Sequence, residues 1–129
     1  MKWKKFIKEF KLEELIHGID IHKNENVSIA EAVRLALLNV VGAYAIVIIS
    51  KDNPNQLIAA RKSSPLVVGI GAEGDFYLAS DATPIVEYTK KVVYLDDEEI
   101  AVIDLEDGLK LYNIADQERT PFFQQLEME

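Results

Sequence analysis

Residues 57–81 constrain this chain more than any other stretch. Leu57-Ile58-Ala59-Ala60 is an apolar run that breaks at the polar Arg61-Lys62-Ser63-Ser64. Pro65 opens a second apolar run, which stops at Gly69 and Gly71. The turn residues Glu73-Gly74-Asp75 then lead to a third run ending at Ser80-Asp81, a capping pair. Tight turns between consecutive strands imply mostly antiparallel pairing.

The flanking sequence extends that pattern. Tyr44 to Ile49 is continuously apolar and β-branched, as in a strand covered on both faces, and Asp52-Asn53-Pro54-Asn55 reads as a turn. Further strands are predicted near 91–95 and 100–105, flanking an acidic hairpin turn at Asp96 to Glu99. Glu106-Asp107-Gly108 then turns the chain into a strand from Leu109 to Ile114. On the N-terminal side, Leu12, Leu15, Ile16 and Ile19 recur at helical spacing. They predict a helix that starts near Trp3 or near Leu12 and ends about His22.

Ser28 and Glu31 form an S-x-x-E capping box in front of a second helix, whose apolar side is Ile29, Ala32, Val33, Ala36, Leu37 and Val40. Gly42 is its expected C′ residue. Asp81 and Pro84 mark a short helix with Ile85, Val86 and Tyr88 turned inward. Phe122, Phe123, Leu126 and Met128 suggest the start of another. Helices segregated from strands give an α+β fold of mostly antiparallel sheets with helices packed on them.

Composition narrows the function classes. A net charge of −8 argues against nucleic acid as a partner, since phosphate binding needs clustered Lys and Arg. The one basic cluster, Lys2, Lys4, Lys5, Lys8 and Lys11, interleaves with Trp3, Phe6, Ile7 and Phe10 as an amphipathic leader. Lys8-Glu9 interrupts the apolar run that a signal peptide requires, and no run approaches the roughly 20 residues of a membrane span. No membrane partner and a cytoplasmic location are therefore expected. The 129 residues contain no cysteine, which removes thiol nucleophiles, thiolate metal sites and disulfides from this chain.

Each candidate for chemistry has an ordinary reading beside it. His17 and His22 are five apart, so they face different sides of a helix and read as surface or boundary residues rather than metal ligands. Asp96-Asp97-Glu98-Glu99 lacks the alternating oxygen ligands and central glycine of a calcium loop, and reads as a hairpin tip. Ser63 and Ser64 beside Arg61 could cradle an anion, but a structural Arg61 that pairs with Asp81 or caps strand carbonyls is the better reading. Gly69-x-Gly71 with Glu73-Gly74 precedes a strand and is no dinucleotide fingerprint. No G-x-S-x-G elbow or Ser–His–Asp set is present.

The ordered set Ser28-x-x-Glu-Ala-Val, Val41-Gly-Ala-Tyr-Ala, Ala59-Ala-Arg-Lys-Ser-Ser-Pro-Leu-Val-Val-Gly, Leu78-Ala-Ser-Asp and Val93-Tyr-Leu-Asp-Asp-Glu-Glu-Ile-Ala resembles the class II glutamine amidotransferases. The Ser-Ser-Pro-Leu form is most similar to the C-terminal half of the glutaminase domain of the glucosamine-6-phosphate synthases (glutamine–fructose-6-phosphate aminotransferases). The resemblance runs from about Glu13 to Glu129. It implies part of an Ntn-hydrolase αββα sandwich and a place in amino-sugar biosynthesis.

In that family an N-terminal cysteine attacks the glutamine amide, an Asn-Gly pair holds the oxyanion, and an arginine and an aspartate hold the α-groups. All of these belong to the half preceding the resemblance. Met1 heads this chain, and Phe10-Lys11-Leu12-Glu13 puts lysine where the family has its substrate-binding aspartate. The resemblance thus implies three segments: a divergent basic leader (1–12), a partial glutaminase-like domain (13–119) and the start of an interdomain linker helix (120–129). No catalytic, cofactor-binding or metal-ligating residue is assigned, and no cofactor is implied. The chain alone is expected to be inactive, its partner being the missing N-terminal half-domain or another copy in a homo-oligomer.

Overall fold

The computed structural model describes residues 2–5 and 12–126. Along the chain run β1 (Lys2–Lys5), α1 (Leu12–Lys23), α2 (Ile29–Leu37), β2 (Tyr44–Ser50), β3 (Asn53–Lys62), β4 (Val67–Ile70), β5 (Phe76–Ala79), β6 (Lys91–Tyr94), β7 (Glu99–Asp104), β8 (Gly108–Asn113), β9 (Glu118–Arg119) and β10 (Gln124–Gln125). One sheet has the order β1-β2-β3-β7-β8-β9 and the other β10-β6-β4-β5. Every strand pairing within the two sheets is antiparallel.

The period-2 geometry of β2 builds the layers. Tyr44, Ile46 and Ile48 face the helices, joining Leu15, Ile19, Ala32, Val33 and Leu37. Ala45 and Val47, on the opposite face, pack into the space between the sheets with Val68, Val93, Leu95 and Leu111. In β3, Ile58 and Ala60 face the helices and Ala59 the other sheet. Both faces of the larger sheet are thus covered, which is why β2 reads as one unbroken apolar run. Each fully buried aliphatic side chain contributes about 1.5–3 kcal/mol, so this double-sided burial dominates the stability of the layers. Beyond the smaller sheet, Val67 and Val92 pack against Ala82 and Ile85 from the segment that follows β5. The order of layers is helices, large sheet, small sheet, looped cover.

Several expectations need correction. Residues 2–5 are a strand along the edge of β2, not the start of an amphipathic helix. Pairing with an open sheet edge overrides a weak local helical pattern. The rest of the basic leader, residues 6–11, lies outside the described residues. At the other end Gln124–Gln125 pairs with Val92 and Lys91 instead of entering a helix. Phe122 is exposed and Lys91 Nζ sits 4.5 Å above the Phe123 ring, while Met128 is not among the described residues.

The segment after Asp81 makes single turns rather than a regular helix, with Val86 N–H bonded to Ala82 O at 3.1 Å and Thr89 N–H to Ile85 O at 3.1 Å. Ile85 is buried, but Tyr88 turns outward and stacks on Tyr77 with ring centroids 5.0 Å apart. α2 ends at Leu37, so Gly42 is not its C′ residue, although its φ of 105° is one that glycine adopts freely. β3 begins inside the expected turn at Asn53. A register shift at Ile49/Ser50 leaves Pro54, which has no N–H, outside the β2 ladder.

Candidate functional site

Asp96 to Glu99 is not a hairpin tip, because β6 and β7 belong to different sheets and these residues carry the chain from one to the other. The crossover is tied down at each residue. The Asp96 N–H donates to Glu99 Oε1 at 2.6 Å, and the Glu98 N–H donates to the Arg61 carbonyl at 3.0 Å. Glu99 is only 4% exposed, the one buried carboxylate among the described residues.

Arg61 reaches this crossover from the end of β3. Its Nη1 donates to the Leu95 carbonyl at 2.9 Å, so the expected capping of a strand carbonyl holds. Its acidic partner is Asp97, with Nη2 3.4 Å from Oδ1, and not Asp81, whose Oδ1 instead accepts the Thr83 N–H at 3.1 Å. Ser63 adopts φ 61° and aims its N–H at the same Asp97 oxygen, 2.5 Å away. The cradle of amide and guanidinium that could have bound an external anion thus holds the chain's own carboxylate. Tyr44, packed beneath, has its phenol pushed above its ordinary value by burial first and then by the charges of Glu98 and Asp97.

The other candidates disperse. His17 is exposed, and His22 Nδ1 lies 3.3 Å from Glu25 Oε2. Among the described residues no group of three His, Cys, Asp or Glu side chains converges in a way that could hold a metal. Ser64 is half-buried, and a Cβ on Gly71 would fall on the Asp75 carboxylate, so that glycine serves a tight turn.

A cleft of 310 Å³ opens beside α2, floored by Ile100 and Val102 and walled by Glu31, Arg34, Lys110 and Tyr112. Only half of the capping box forms there. Ser28 Oγ accepts the Glu31 N–H at 3.1 Å, while the Glu31 carboxylate turns to Arg34, whose Nε donates to it at 2.9 Å. That hydrogen bond from Arg34 holds the Glu31 carboxyl below its ordinary value. Arg34 Nη1 also caps the Ile114 carbonyl at 3.1 Å, so the pair ties α2 to the end of β8. No histidine lines the cleft, and its serine is spent on a helix cap. The arrangement braces α2 against the end of β8.

Sequence reasoning missed the Arg61–Asp97 partnership, the burial of Glu99 and the role of Arg34. The first two depend on which sheet each strand joins, a long-range choice with no local signal, whereas the Arg34–Glu31 pair is an i,i+3 contact on α2 that the spacing alone could have shown.

No family model matches the chain. It is 56% identical over 117 residues to a glutamine–fructose-6-phosphate aminotransferase (isomerizing) of Bacteroides thetaiotaomicron, covering 90% of this chain and 19% of that protein. The protein of the same description from Chlorobaculum tepidum is 53% identical over 93 residues, covering 70% of this chain and 15% of its own length. The chain therefore spans about a fifth or less of the curated relatives it matches. Among solved structures, the glutamine phosphoribosylpyrophosphate amidotransferase of B. subtilis, complexed with ADP and GMP, superposes with a TM-score of 0.63 at 22% identity. That match covers 84% of this chain and 23% of the other. A structure described as the allosteric regulatory enzyme of purine biosynthesis gives 0.59 at 24% identity, over 78% and 21%. The shared layers identify the fold as that of the Ntn-type amidotransferases.

Proposed function

This chain is homologous to the glutamine–fructose-6-phosphate aminotransferases over about a fifth of their length, and on that premise we propose that it is the scaffold part of a glutamine-hydrolysing domain. The identity of 56% over 117 residues carries the reading. Glutamine hydrolysis in the family uses a cysteine, and these 129 residues contain none. The chain by itself is therefore catalytically inactive, and its two sheets serve to support a nucleophile supplied by another polypeptide segment. It works in the cytoplasm in amino-sugar formation. No helix among the described residues is long and apolar enough to cross a membrane.

The test has two arms. The purified chain, incubated with glutamine, releases ammonia no faster than buffer; turnover above that control rejects the inactive reading. Mixed with the part of the Bacteroides relative that precedes the matched region, it restores glutamine-dependent ammonia release. A folded mixture that stays inactive removes the scaffold role and leaves a self-associating module as the reading to pursue.

A further inference from the structure

The free strand edges of the two sheets are not alike. β1 (Lys-Trp-Lys-Lys), β9 (Glu-Arg) and β10 (Gln-Gln) end their sheets with short strands rich in charged or amide side chains. Short, polar edges of this kind keep an unpaired ladder from joining another chain. β5 (Phe-Tyr-Leu-Ala) ends the small sheet without such a residue. Phe76 and Leu78 face the space between the sheets, and Tyr77 and Ala79 face the looped cover, so the strand is apolar on both sides. All four residues are only half-buried, although a strand covered on both faces has the composition of a sheet interior.

Charge decides which neighbour fits that edge. Glu73 and Asp75 stand at one end of β5 and Asp81 at the other, all exposed. Asp75 accepts the Tyr77 hydroxyl and Asp81 accepts the Thr83 N–H. None of the three carboxylates has an ion-pair partner among the described residues. A second copy is therefore a poor occupant. Antiparallel pairing of β5 with itself keeps the faces in line when centred on Tyr77 or on Leu78, because a one-residue slip turns each side chain to the wrong face. Centred on Leu78, it sets Asp75 opposite Asp81 of the other copy; centred on Tyr77, it brings the turn carrying Glu73 and Asp75 toward that same Asp81. Either way like charges meet, and symmetry repeats the repulsion.

We propose that the open edge of β5 takes up one extended segment of another polypeptide, apolar at alternate residues and carrying Lys or Arg at each end. Backbone hydrogen bonds along the edge add a fifth strand to the four of the small sheet. The two cations lie opposite Asp75 and Asp81, which are six positions apart. The edge is available to such a segment whether or not the chain supports a nucleophile.

The test is an NMR titration of the full 129-residue chain, at constant ionic strength, with the peptide acetyl-Lys-Val-Thr-Val-Thr-Val-Lys-amide. Its valines face the space between the sheets when its lysines face the two carboxylates. Saturable shifts at the amides of Phe76 to Ala79 are expected, with slowed hydrogen exchange in the same strand. Glutamate in place of both lysines weakens binding at least tenfold. Methylation of the peptide's inner amide nitrogens, which removes the N–H donors and keeps the charge, abolishes it. Absence of a saturable shift in β5 overturns the proposal. So does equal binding of the glutamate peptide, or of the methylated one, which reduces the contact to something other than strand addition. Shifts at Phe76 to Ala79 on raising the protein concentration without peptide make a second copy the occupant and overturn it as well.

Discussion

Asp97 Oδ1 lies 3.4 Å from the Arg61 guanidinium and 2.5 Å from the Ser63 N–H, so one carboxylate closes a cradle built by residues more than thirty positions earlier. The end of β3 is thereby fastened to the loop that carries the chain from one sheet to the other. Arg61 completes the fastening through the Leu95 carbonyl.

Asp97→Ala is expected to destabilise the chain by about 1–2 kcal/mol, toward the lower end of what a charge-assisted hydrogen bond contributes because Asp97 is half-exposed. Arg61→Ala loses more, since it also strips the Leu95 carbonyl of its donor. Urea denaturation of the two variants measures both. Equal stability of Asp97→Ala and the parent would mean that Ser63 holds its left-handed conformation without help.

Gly69 tests the looped cover. A Cβ there would stand 2.5 Å from Ile85 Cγ2 and 3.0 Å from Thr89 Cγ2, so Gly69→Ala must push the 82–89 segment off the small sheet. Overpacking of this kind costs about 1–3 kcal/mol. Gly74→Ala, at φ 80° with nothing within 4 Å, costs about 1 kcal/mol from backbone strain alone. Thermal melts of the pair separate the effects, and a Gly69→Ala protein no less stable than Gly74→Ala would show that the cover yields freely.

How much of this was legible in the sequence follows from the range of each interaction. The unbroken apolar run of Tyr44 to Ile49 and the spacing of Ile29, Ala32, Val33, Ala36 and Leu37 are local, and they gave β2 and α2 their type and their buried faces. The Gly108 turn was equally local, with φ 77° between β7 and β8. β1, β9 and β10 have two to four residues each and exist because a neighbouring strand offers an unpaired edge, so no periodicity announces them. The acidic crossover was misread for a related reason. Two strands around four polar residues look like a hairpin unless it is known that they join different sheets. At the site, the chemistry of Arg61 and Ser63 was readable, but the identity of the anion they hold was not, because Asp97 sits in that crossover.

Glu31 sets an acid limb of stability. Its carboxyl is held below its ordinary value of 4.5 by the hydrogen bond from Arg34. A carboxyl whose folded value is depressed contributes stability that is present above the unfolded value and lost as pH falls through the folded one. The parent should therefore lose this contribution progressively below about pH 4.5, while Glu31→Gln starts less stable at neutral pH and shows a shallower decline. Denaturation at a series of pH values between about 3 and 7 provides the comparison. Parallel curves for parent and variant would place the acid sensitivity elsewhere, with Asp104, also depressed by the Glu106 and Asp107 N–H groups, the next to examine.

The neighbours Ile48 and Ile49 decide whether the chain keeps its layered form in solution. Ile48 is 1% exposed and packs under the helices, whereas Ile49 points the other way and is 41% exposed. If the helices cover the large sheet as described, Ile48→Ala opens a cavity costing about 2–5 kcal/mol, and Ile49→Ala costs less than about 1 kcal/mol because its surface is already partly in water. A helix layer that came loose in the isolated chain would expose both residues and erase the difference. Two similar, small changes in the urea midpoint would therefore show that the scaffold needs a further segment to hold its helices in place. A large gap would show that the helices and the large sheet hold together unaided.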